Sequence, residues 1–118
     1  MFLSSALYFV HEMVHIWQWQ NRELTGYLPS QAASEHQSGA DPYQFDLATK
    51  QRFLDYGFEQ QASVVEEYLC CAILDPEAPR TARLKTLVQE VFQVQNLPRP
   101  EQVYLPWKGV ELDGICRS

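Results

Sequence analysis

No cluster of lysine or arginine stands anywhere in this chain: nine basic residues are outnumbered by fifteen acidic ones, and the formal net charge is −6. Without grouped cations to neutralise phosphates, nucleic acid is not an expected partner. No basic patch is offered to anionic lipid, and no apolar run is long enough to span a bilayer, so membrane insertion is not expected. The opening MFLSSALYFV lacks the basic leader and small-residue cleavage site of a secretory signal. Cysteine is sparse, three in all and none in a C-x-x-C pair. Cys70 and Cys71 are expected on one helix facing different ways. With Cys116 they read as small buried apolar residues rather than as a bridge or metal ligands. Internal repeats and low-complexity runs are absent, and 118 residues suit a single domain with one modest core.

What the sequence does have is concentrated near its start. From Ala6 to Trp17 the only strongly polar side chains are His11, Glu12 and His15, in the order His-Glu-x-x-His. A helix apolar on nearly every side is expected to be buried. Two imidazoles and a carboxylate are costly to desolvate there without partners. Residues four apart stack on one helical face, so His11 and His15 can each give a nitrogen to one Zn2+. Glu12 is rotated by about 100° from His11, beside the metal rather than on it, where it can take a proton from the water that the metal activates. The bland alternative is a pair of core histidines bonded to carbonyls.

The first helix is predicted over residues 3–19, with Ser4 or Ser5 as cap and Leu3, Leu7, Val10, Val14 and Trp17 in one apolar line. Residues 21–42 read as a long loop, punctuated by Gly26, Pro29, Gly39 and Pro42, that walls a substrate cleft. Residues 43–47 alternate apolar and polar and predict a short strand. A second helix is expected within residues 53–74, starting near Gly57 and ending at Asp75 and Pro76. A third follows over residues 80–95, with Leu84, Leu87, Val88, Val91 and Val94 as its buried stripe. The tail from residue 101 to 118 is expected to be irregular and draped over the core by Tyr104, Leu105 and Trp107.

Catalytic zinc usually takes three protein ligands and keeps one position for water. The third ligand is sought on the second helix, where Glu59 leads: its neighbours are apolar or small, and Ala62, one turn on, lets two helices approach closely. Glu66 faces the same side and is the second choice, or a hydrogen-bond support for a ligand imidazole, a task Ser63 could share. His36 and Asp55 stay open as more remote ligands. The oxyanion of an attacked carbonyl needs a further donor, for which Tyr56 and His36 are the candidates. Trp17, Trp19, Tyr43, Phe45 and Trp107 are available for an apolar pocket, although most are expected in the core.

HExxH on one helix with Glu on a second resembles the gluzincin group of zinc metallopeptidases. More closely, FVHEMVHIWQWQ followed by DYGFEQQASVVEEY resembles the metallopeptidase domains attached to, or encoded near, type VI secretion spike (Vgr-related) proteins; the likeness spans residues 8–68. It implies His11, His15 and Glu59 as zinc ligands and Glu12 as catalytic base. With the three helices, short strand segment and long loops read above, the fold expected is a compact, mainly α, zincin-like core. The implied protein is a secreted antibacterial effector, partnered by a spike protein and acting in a rival cell's periplasm on a peptide, protein or peptidoglycan substrate. Ser63 stands where many gluzincins have Asp. Many zinc peptidases place a sheet before the motif helix, so a domain cut from a longer protein is expected, with Met1 internal or added. The rival reading is a non-catalytic zinc-binding structural or interaction domain.

Overall fold

The computed structural model describes residues 3–37, 41–49, 51–94 and 116. These residues form α1 (Leu3–Gln20), α2 (Arg22–Thr25), α3 (Pro29–Gln37), α4 (Phe58–Leu74) and α5 (Pro79–Val88), with 3-10 turns at Leu47–Thr49 and Phe53–Asp55. The protein is mainly helical, and the described residues include no strand. α4 is the central element, with α1 packed along one side and α5 along another.

The apolar line read along α1 is the side that meets the rest of the chain: Leu3 and Val14 are buried and Trp17 packs against the core. Trp17 is within 4.7 Å of the Phe92 ring centroid and 6.3 Å of Phe53, so three aromatic rings tie the end of α1 to the turn after α5. Beneath them Val64, Cys71, Leu84 and Val88 form the apolar centre. Helix α1 is not buried all round, however. Tyr8, Phe9, Met13, Ile16 and Trp19 remain exposed along its other side, because α4 covers only one face of a helix whose sequence is apolar on several.

Four expectations change. Residues 21–42 are not a long loop: they hold α2 and α3. Pro29 reads as a breaker, but it occupies the first helical position, where a missing N–H costs nothing, and QAASEHQ continues from it as a polar helix. Gly26 closes α2 with φ 72°, its N–H donating to the Arg22 carbonyl.

The strand expected at 43–47 is absent. Asp41 and Asp46 carboxylates accept from the N–H groups of Tyr43 and Ala48 at 2.9 and 2.8 Å, turning the chain twice instead of extending it. The third helix stops at Val88, where the Gln89 amide donates to the Val94 carbonyl and the Glu90 carboxylate accepts from the Phe53 N–H at 2.8 Å. Finally, Cys71 and Cys116 are joined by a disulfide, leaving Cys70 as the free thiol among the described residues. An odd count with no close spacing hid a pair 45 residues apart. Of the tail, only Cys116 lies within the described residues.

Candidate metal centre

Helix α1 presents His11 and His15 to the first turns of α4, where Glu59 is 5 % exposed. One nitrogen from each imidazole and one Glu59 oxygen lie within 4.8 Å of one another. His15 Nε2 abuts Glu59 Oε1, and His11 Nε2 is 3.5 Å from the same oxygen.

The far side of each ring decides what points inward. His15 Nδ1 is 2.9 Å from Gln18 Oε1. Gln18 is fully buried, and its amide nitrogen donates to the Phe58 carbonyl and to Gln61 Oε1. The Gln61 nitrogen in turn donates to the Tyr56 carbonyl. Carbonyls only accept, so both amides have one orientation, and Gln18 Oε1 must accept the Nδ1 proton of His15. A neutral His15 therefore turns its Nε2 lone pair towards Glu59 Oε1. His11 turns its Nδ1 towards a Glu66 oxygen 3.5 Å away and its Nε2 inward, towards Glu59. Glu59 Oε1 is buried and has no hydrogen-bond partner. One nitrogen of each imidazole and one carboxylate oxygen thus converge on one point, where a cation would be held by all three. The donors are those Zn2+ takes, and each ring is oriented from behind as metal-bound histidines are. The residues fit the ion.

The start of α4 is held by α3. Glu35 places its two carboxylate oxygens on the N–H groups of Phe58 and Glu59, at 2.9 and 3.0 Å, meeting the positive end of the helix. Gln60 Oε1 accepts from the Gly57 N–H at 2.8 Å. A Cβ at Gly57 would sit 3.2 Å from the Glu35 carboxylate, close enough that the carboxylate would have to shift. The next residue on α3, His36, sets its Nε2 2.8 Å from the second oxygen of Glu59. Tyr43 completes the ring around that carboxylate, its centroid 5.7 Å from His11 and 5.6 Å from His36. Loss of hydration raises the Tyr43 pKa above the ordinary phenol value, and the charge of Glu59 and a hydrogen bond to it raise it further. Glu66 is also held above the usual carboxylate range, by burial first; His11 works against that shift and Glu67 with it.

Glu12 is exposed and makes no part of the triad. Three hollows meet on it. One of about 330 Å3 holds His15, His36 and Glu59; one of about 300 Å3 runs past Tyr8, His11, Tyr43, Ser63 and Glu66; a third lies towards Ile16 and Trp19. A roomier hollow of about 600 Å3 contains none of the triad, and its charged Glu67 and Arg80 are paired with each other at 2.7 Å.

Of the residues read from the sequence, His11, His15, Glu59, Glu66, Ser63 and His36 come together. Tyr56 does not: its hydroxyl donates to the Asp46 carbonyl at 3.0 Å within the core. Asp55 instead accepts from the Arg52 N–H at 3.2 Å. Gln18, Gln61 and Glu35 were missed, and Tyr43, read only as a candidate wall of an apolar pocket, stands beside the His11 and His36 rings. Gln18 carries a legible signal, three residues after His15 on the same face. The others depend on how α3 and the turns fold back. Comparisons with models of protein families, with curated proteins and with solved structures each found no match.

Proposed function

We propose that the chain is a zinc-dependent metallopeptidase with a gluzincin-like ligand set of His11, His15 and Glu59. The observation that supports this best is the convergence of two imidazole nitrogens on the buried Glu59 Oε1, which has no hydrogen-bond partner, with Glu12 left exposed at the meeting of three hollows. Bound there, zinc would lower the pKa of water to about 7 and polarise a scissile carbonyl.

The remaining work falls to the chain. Glu12 accepts a proton from the attacking water and delivers it to the leaving amine. Gln18 orients the His15 ring so that Nε2 faces the ion, and Glu66 lies behind the His11 ring on its Nδ1 side. His36 and Tyr43, gathered at the outer oxygen of Glu59, are the donors within reach of a developing oxyanion. A purely structural zinc site is normally closed by four protein ligands; the three groups gathered here fit a catalytic site better. The resemblance to spike-associated domains extends the proposal to a secreted antibacterial effector, and the Cys71–Cys116 bridge suits a chain acting in an oxidising compartment.

Zinc content and peptide cleavage test this together. Glu12→Gln is expected to keep one zinc per chain and to lose hydrolysis by about 100-fold or more, the scale of general-base loss. His11→Ala and Glu59→Ala are expected to lose both. Full cleavage by Glu12→Gln would remove the assigned base, and tight stoichiometric zinc in Glu59→Ala would move the third ligand elsewhere.

A further inference from the structure

The third hollow beside Glu12 differs from the other two. It encloses about 440 Å3 between Glu12, His15, Ile16, Trp19, Tyr27 and Pro29. Beyond Glu12 and His15, its walls are an aliphatic side chain, two aromatic rings and a proline. Glu12, Ile16 and Trp19 are spaced by four and three residues, so one helical row carries the base and the apolar floor. Four residues of helix rise only about 6 Å, and successive residues of an extended peptide are about 3.4 Å apart. A peptide laid along this row with its scissile bond beside Glu12 would bring a nearby side chain over Ile16.

The walls are braced although partly open to solvent. The Arg22 guanidinium lies 4.4 Å from the centre of the Trp19 ring, and its terminal nitrogen donates to the Trp19 carbonyl at 3.0 Å. Tyr27 stands edge-on to Phe58, with centroids 5.0 Å apart, and its N–H donates to the Thr25 hydroxyl, which itself donates to the Gln18 carbonyl. The opposite wall is thereby tied to the same glutamine that orients His15. Across Glu12, the hollow past Tyr8 and Tyr43 mixes their rings with His11, Ser63 and a second carboxylate, Glu66, so the two flanks of the base differ in polarity.

We infer that this hollow is a specificity pocket which binds the large apolar side chain (Leu, Met, Phe or the like) of a protein or peptide substrate, next to the bond that is cleaved. The inference rests on the peptidase reading and sharpens it, for it favours unfolded protein segments over peptidoglycan stems. Stem peptides are built mainly of alanine and charged residues and would leave these walls wet.

The test uses the full chain carrying Glu12→Gln, loaded with zinc, and acetyl-Gly-X-Gly-amide peptides with X as Phe, Leu, Ala or Glu, titrated by calorimetry. From the free energy of each buried CH2, Phe and Leu are expected to bind about tenfold or more tightly than Ala. Adding Trp19→Ser or Ile16→Ser to that chain is expected to cut the preference to about twofold or less. Cleavage sites mapped in a mixed peptide digest should carry a large apolar residue on one fixed side. Equal binding of all four probes, no saturable binding, a preference that survives both wall substitutions, or faster release of peptidoglycan cross-links than of peptides would each overturn the pocket. Apolar preference in a chain that takes no zinc and cleaves nothing would keep the pocket and remove the hydrolytic reading, so the two failures are separable.

Discussion

The two ends of α4 are buried to the same degree by opposite chemistry. Near its start Glu59 and Gln61 are 5 % and 0 % exposed; near its end Cys71 and Ile73 are 1 % and 6 % exposed. The second end is an ordinary core, closed by α5 and a disulfide, where burial itself is the driving force. The first end has to recover the cost of dehydrating an amide, two imidazoles and a carboxylate. It does so through the Gln18–Gln61 relay and the Glu35 cap, yet one Glu59 oxygen stays unmatched. One helix thus serves as scaffold at one end and as ligand holder at the other. Substitutions at the two ends should differ in sign as well as in size.

The largest effect is expected in the apolar core. Phe53 is fully buried and packs against both Trp17 and Phe92. Phe53→Ala should destabilise the chain by about 4 kcal/mol through lost burial and the cavity left behind, read as a lowered urea midpoint. The fraction still folded should bind zinc with unchanged stoichiometry. A coincident loss of zinc from folded protein would show that the core and the ligand end are not separable. Next comes Cys116→Ser, which opens the link to Cys71. Freed chain entropy over a span of 45 residues puts the cost at about 4 kcal/mol at most, and dithiothreitol should reproduce it in the native chain while leaving the substituted one unmoved.

The division between the ends was partly visible in the chain itself. His-Glu-x-x-His and Glu59 were legible because helical spacing alone brings His11 and His15 onto one face, and small Ala62 marks where two helices close up. The stripe of α5 through Leu84, Leu87 and Val88 was legible for the same reason. The periodicity of α3 was not: none of its residues is buried, so no apolar pattern announces it, and its place is set by Glu35 and His36 reaching another helix more than twenty residues away. Pro29 and the Asp41 and Asp46 turns show the converse. The same residue types start a helix or bend a strand pattern, depending on partners that a local window does not contain. The exposed apolar side of α1 was misread because hydrophobicity around a helix states what is available for burial, not which face is used.

The smallest expected effect is the sharpest for the ligand end, because its sign is unusual. In zinc-free protein Gln18 Oε1 lies on the Nδ1 side of His15, and the buried Glu59 Oε1 on its Nε2 side has no hydrogen-bond partner. Glu59→Gln replaces that oxygen or its twin with an amide that can donate N–H to the imidazole, while the remaining oxygen still accepts from His36. Removing a buried, incompletely paired charge and adding one hydrogen bond should stabilise the zinc-free chain by about 1 kcal/mol. Adding zinc should reverse the order. At 100 times its dissociation constant the ion stabilises the native sequence by about 2.7 kcal/mol, and the substituted chain, lacking the anionic ligand, should gain far less. Urea titrations of both chains, with chelator and with zinc, give the four numbers required. If Glu59→Gln instead weakens the zinc-free chain at pH 8, Oε1 is already receiving a proton from one of the imidazoles. The cluster would then be a self-satisfied ion pair, its two histidines structural, with no vacancy for a cation between α1 and α4.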